Sequence, residues 1–167
     1  MLNIYINTWK NYNEHGCNNG RWITLPMDNQ KLMEVLKSVA ESMNDSDPEW
    51  FVNDYEWEDE DFFEIDETDN YFYLNEISEE INILDEYDKF KLLAVIEAYT
   101  SNIREALDTL DDYTFYKNMN MEDVAYEIVS DCYELSEFSL KYFDYAAFAI
   151  DLSFDGFYET KFGVIFG

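Results

Sequence analysis

Apolar and polar residues alternate through Leu2-Asn3-Ile4-Tyr5-Ile6-Asn7-Thr8-Trp9, and the apolar ones are β-branched or aromatic, which predicts a strand. The polar stretch Asn11 to Asn19, with Gly16 inside it, reads as a loop. Arg21-Trp22-Ile23-Thr24-Leu25 predicts a second strand. Pro26 ends it, because proline has no N–H for a sheet ladder. Asp28 is placed to cap a helix in which Leu32, Val35, Leu36 and Val39 share one face. Trp50 to Tyr55 predicts a third strand, so the chain opens with a ββαβ unit: a small antiparallel sheet carrying one helix.

Glu56 to Asn70 is rich in acids and poor in apolar positions, and reads as an irregular surface connection. Helical spacing then takes over. Leu74, Ile77, Ile81 and Leu84 form one stripe; Leu92, Leu93, Val95, Ile96 and Tyr99 form another; Ile103, Ala106, Leu107 and Leu110 form a third. These predict two or three short helices. A further helix is expected near Met121 to Tyr133, another over Tyr142 to Leu152, and a terminal strand or hairpin over Phe157 to Phe166. The fold class is α+β, with no internal repeat.

Charge changes this picture most. The 167 residues hold 38 Asp and Glu against 10 Lys and Arg, a net charge of −28. Between Lys37 and Lys89 no basic residue occurs, while 20 acids do. Solubility in a small domain is served by a net charge of about 2–8 in magnitude, and charge beyond that adds self-repulsion to the folded state. Disordered acidic chains lack aromatics, whereas 19% of this chain is aromatic and 47% hydrophobic, so the charges are expected on an ordered surface. An ordered surface of negative charge has one abundant counterpart in the cell, the phosphate backbone of DNA. Such a chain is repelled by nucleic acid and by anionic membranes, which leaves basic surfaces, cations and DNA-holding proteins as partners.

The charge can be set against DNA. Duplex DNA carries one negative charge per ~1.7 Å, so 28 charges correspond to about 48 Å of axis, or about 14 base pairs. A compact globule of this length has a radius of gyration of about 15 Å and a diameter of about 40 Å. Matching the density of DNA therefore favours an elongated protomer, and a dimer would match about 28 base pairs.

Other chemistry finds little support. Carboxylate pairs are so numerous that spacing selects no catalytic couple. His15 is the only histidine and lies in a polar loop; without a second histidine or paired cysteines no zinc ligand set exists. Asp54 to Asp59 alternates like a calcium loop, but Asp59 stands where such a loop needs glycine. Asp151 to Gly156 has the glycine but lacks the acid at its third position and the closing Glu. No metal, cofactor or catalytic residue is expected. Cys17 and Cys132 read as reduced, incidental thiols. No apolar run approaches the roughly 18 residues of a membrane span, and Met1-Leu2-Asn3-Ile4-Tyr5 does not begin a signal peptide. A cytoplasmic protein is expected.

Three blocks near the N-terminus carry a family resemblance: Tyr5-Ile6-Asn7-Thr8-Trp9-Lys10-Asn11-Tyr12-Asn13, Gly20-Arg21-Trp22-Ile23 and Asn53-Asp54-Tyr55-Glu56. With Asp144-Tyr145-Ala146-Ala147-Phe148-Ala149-Ile150-Asp151-Leu152 and the closing Gly163-Val164-Ile165-Phe166, their order and spacing resemble the ArdA antirestriction proteins. The middle, Glu58 to Met119, is similar only in acidity and helical pattern.

The resemblance implies a non-enzymatic DNA mimic encoded by mobile elements. It implies elongated homodimers of three small subdomains, with carboxylates placed like the phosphates of bent B-form DNA. Their target is the DNA-binding groove of type I restriction–modification enzymes, in the methyltransferase core. The implied subdomains are an N-terminal α+β unit 1–67, a central helical unit 68–110, and a C-terminal α+β unit 111–167 that holds the dimer interface. The carboxylates nominated as phosphate mimics are Asp54, Glu56, Glu58, Asp59, Glu60, Asp61, Glu64, Asp66, Glu67, Asp69, Glu79, Glu80, Asp85, Glu86, Asp108, Asp111, Asp112, Glu122, Asp123 and Glu127. Tyr145 and Phe148 are the nominated interface rings. The competing expectations are an acidic, anti-CRISPR-like inhibitor or adaptor aimed at another DNA-binding protein, and a calcium-buffering protein.

Overall fold

A computed structural model describes residues 1–167, and contacts divide the chain into two compact units, Met1–Leu84 and Asp85–Gly167. Each unit is built on a three-stranded antiparallel sheet, which makes the fold α+β.

The first unit contains β1 (Leu2–Thr8), α1 (Trp9–His15), β2 (Arg21–Leu25), α2 (Asn29–Ser42), β3 (Trp50–Trp57) and α3 (Tyr71–Ile83). The strand order is β2-β1-β3. Leu2, Ile4 and Ile6 are fully buried on one face of the central strand, as a period of two requires. Across from them lie Leu25 and Ile23 of β2, and Trp57, Tyr55 and Val52 of β3. Register slips between Tyr5 and Ile6, which oppose Asp54 and Val52, so Asn53 is the extra residue of a bulge. The bulge breaks the simple alternation of β3. Val52 turns into the core, while Phe51, opposite Asn7, is buried on the other face under α1.

The loop expected over Asn11 to Asn19 is corrected: its first half belongs to the helix α1. Thr8 caps that helix by accepting from the Asn11 N–H at 3.2 Å, and Gly16 ends it at φ +67°. Asn11 donates to Asn7 Oδ1 at 2.7 Å in the interior and to the Asn18 carbonyl at 2.9 Å at its edge. This buried amide network, not an apolar stripe, holds the helix. α2 follows the expected Asp28 cap, with Leu32 and Val39 buried and Val35 and Leu36 half-buried. α3 buries Leu74, Ile77 and Ile81. Its Asn75 accepts from the Met27 N–H and donates to the Met27 carbonyl, both at 2.8 Å, and donates to Asn29 Oδ1 at 3.1 Å. That amide ties the helix to the β2–α2 turn.

The second unit contains α4 (Glu86–Ala98), α5 (Ile103–Asp108), a 3-10 turn (Leu110–Asp112), β4 (Thr114–Lys117), α6 (Met121–Cys132), α7 (Glu137–Lys141), α8 (Tyr145–Phe154), β5 (Phe157–Thr160) and β6 (Gly163–Phe166). The strand order is β4-β6-β5. Central β6 is buried at Val164 and Ile165. A Cβ on Gly163, at φ +145°, would lie 2.2 Å from the Tyr116 carbonyl, so glycine lets β4 and β6 close. Val124 and Ala125 of α6 pack with Ala149 and Leu152 of α8 and with Val164. Two elements are additions to the expected order, β4 and α7. The helix expected over Tyr142 to Leu152 starts at Tyr145 and runs to Phe154.

Candidate nucleic-acid-mimicking surface

No Asp or Glu is buried anywhere in the chain; the buried polar side chains are Asn7, Thr8, Asn11, Asn75, Ser78 and Lys91. Of the twenty nominated carboxylates, seventeen are exposed, and Asp69, Glu80 and Glu127 are half-buried. Ten Lys and Arg cannot neutralise 38 acids. Some nominated acids stand near a cation: Glu58 lies 3.6 Å from the N-terminal ammonium, Glu86 2.6 Å from Lys117 Nζ, and Asp108 4.0 Å from Arg104.

Backbone geometry spaces some of these charges. Asp54 and Glu56 alternate with Tyr55 and Trp57 along β3, and Glu58 extends the row, its N–H donating to the Met1 carbonyl at 3.0 Å. Alternate strand residues repeat every ~6.8 Å, which is one charge for every two steps of a DNA strand. Glu58 to Asp61 then raise the local density above that of the strand row.

Other nominated acids also serve the fold. Asp85 caps α4 by accepting from the Asp88 N–H at 2.9 Å. Asp123 and Asn120 form a reciprocal capping box at the start of α6. Asp69 accepts from the Asp66 N–H at 2.8 Å, closing the turn before α3. The Thr68 hydroxyl and N–H donate to Asp66 at 2.6 and 2.9 Å and hold its carboxyl below the ordinary range. Some acids outside the nominated set are equally exposed, among them Glu34 and Glu41 on α2, Asp131 at the end of α6, Glu134 after it, and Asp151 on α8. Their signal was present in the charge count but lay outside the densest run.

The nominated rings Tyr145 and Phe148 are half-buried against the α6–α8 core. Tyr145 donates its hydroxyl to the Leu140 carbonyl at 3.0 Å, and both rings contact Phe143. The open apolar surface of this region lies beside them, at Phe138, Tyr142, Ile150 and Phe154, of which Phe154 is 81% exposed. His15, Cys17 and Cys132 are exposed, and Asp, Glu, His and Cys form no group of three or more placed to hold a metal. No helix is long and apolar enough to cross a membrane.

No curated protein matches the chain. The family described as antirestriction protein (ArdA) matches residues 4–166, nearly the whole sequence. An acidic α+β chain with no fully buried Asp or Glu, matched over that length, belongs to the ArdA antirestriction protein family, a family of inhibitors.

Proposed function

We propose that this protein imitates B-form DNA and occupies the DNA-binding groove of a type I restriction–modification enzyme, in its methyltransferase core. It is an inhibitor without catalytic chemistry of its own. The observation that carries the reading is the distribution of the acids: none is buried, and the nominated set sits on or beside ordered strands and helices of both units. A groove that binds phosphates with Lys and Arg is complementary to such a surface. The target sets the location, the cytoplasm of a bacterium that has received a mobile element. The three subdomains 1–67, 68–110 and 111–167 belong to the same proposal.

So does a homodimer joined through the C-terminal third, where Phe138, Tyr142, Ile150 and Phe154 leave apolar area uncovered. Two protomers would join their charged surfaces into one tract. The test is competition between this protein and a DNA duplex for a purified type I methyltransferase core, followed over a range of salt. Association is expected to slow steeply as salt rises, because opposite fields steer the encounter. Binding that is simultaneous with DNA, or a rate insensitive to salt, refutes the mimicry.

A further inference from the structure

A distributed charge surface does not account for a cleft in the first unit. The cleft has a volume of about 350 Å³, close to the lower end of the roughly 300–1,000 Å³ of ligand pockets, and suits one side chain. Its lining includes Trp9, Tyr12, Phe51, Asn53, Asp54 and Glu67. Trp9 stacks on Phe51 with ring centres 4.1 Å apart, and the Tyr12 ring stands edge-on to both, at 6.0 and 5.5 Å. Tyr12 remains exposed to 38%. Asn53 is the bulged residue of β3, and its Oδ1 is buried with no hydrogen-bond partner. The backbone on the far side is held in place, since the Val52 N–H donates to the Glu67 carbonyl at 2.9 Å.

The exposed Tyr12 ring, the Trp9 ring and two exposed carboxylates select one kind of occupant, a cation that also donates hydrogen bonds and lies flat. We infer that this cleft binds the guanidinium of an arginine side chain. The planar guanidinium stacks on rings, donates to several acceptors at once and sheds water more readily than an ammonium. Asp54 and Glu67, both exposed, supply the counter-charge and the hydrogen-bond acceptors. The cleft stands on its own geometry; that the arginine belongs to a restriction enzyme rests on the function proposed above. In that setting it adds a fixed anchor, and so register, to a surface that is otherwise diffuse.

The probe is N-acetyl-arginine amide, with the citrulline amide as its neutral isostere and the lysine amide as the other cation. Backbone and indole amide shifts are followed on the full-length protein. The arginine probe is expected to shift Trp9 and Phe51 to Tyr55 saturably, the lysine probe less, and the citrulline probe hardly at all. Tyr12→Ala should weaken the arginine probe about two- to fivefold, the range of an exposed cation–π contact. The double change Asp54→Asn with Glu67→Gln should abolish saturation. Equal binding of citrulline, or arginine shifts that do not saturate or that spread over Glu34 and Glu41 alike, overturns the inference. Competition with DNA separates the two proposals. If the cleft fails while DNA is still displaced, the mimicry stands alone; if the cleft saturates without competition, the mimicry falls and the cleft remains.

Discussion

Neutralising Glu58, Asp59, Glu60 and Asp61 together, as Glu58→Gln, Asp59→Asn, Glu60→Gln and Asp61→Asn, changes the net charge from −28 to −24. All four side chains are exposed, just after β3, and the neighbouring Trp57 and Phe62 rings that anchor the segment are untouched. The fold should therefore survive, as circular dichroism and urea midpoints would confirm. Exposed ion pairs are worth about 0–1 kcal/mol each, so four lost together weaken binding by about 2 kcal/mol, roughly thirtyfold. Each change alone should cost about twofold. Glu58 should cost least, because the N-terminal ammonium 3.6 Å away already offsets it. The assay is the affinity for a type I methyltransferase core in competition with duplex DNA, at two salt concentrations. The salt slope should fall along with the affinity, since fewer opposed charges meet. If one substitution abolishes inhibition, or if all four leave it unchanged, the distributed surface is refuted.

Asn75→Ala removes the amide that pairs both Met27 backbone groups, and should cost about 2–4 kcal/mol in urea unfolding; a loss below about 1 kcal/mol would show that the tie is unimportant. Tyr71 is buried with an unpartnered hydroxyl, and burial pushes its phenol above the ordinary value, so Tyr71→Phe should leave stability at pH 7 equal or higher. Because the folded state binds that proton more tightly, the native protein should lose stability as pH rises above about 10, and the variant should lose less. An alkaline decline identical in both would remove Tyr71 as its cause. Phe154→Asp or Ile150→Asp should convert a dimer to folded monomers, whereas Phe148→Asp should unfold the second unit, because Phe148 packs on its core. The dimer should be firmer near physiological salt than at low salt, where self-repulsion reaches further; sedimentation that finds a monomer at every salt and concentration rules it out.

The sequence alone determined β1, β2, α2, α3 and α6, because each repeats its apolar residues at the period of a strand or a helix over enough length to be distinctive. It also determined the acidic surface, since charge adds along the chain and a carboxylate without a counter-ion stays in water wherever the fold puts it. Tertiary structure decided what lacked a period of its own. α1 exists because Thr8, Asn7 and Asn11 satisfy one another in the interior, which a run of polar residues does not announce. β5 and β6 form the hairpin expected over Phe157 to Phe166, whereas β4 is four residues long and becomes a strand because β6 pairs with it. Packing of α8 on α6 half-covers Tyr145 and Phe148 and leaves Ile150 and Phe154 outside, a division that the run of apolar residues does not announce. The Trp9–Tyr12–Phe51 cleft needs both the unannounced helix and the bulge at Asn53, which shifts the register so that Val52 opposes Ile6 and Phe51 opposes Asn7. Periodicity reports only which face a residue prefers; where that face meets another depends on register and packing, and these are properties of the whole chain.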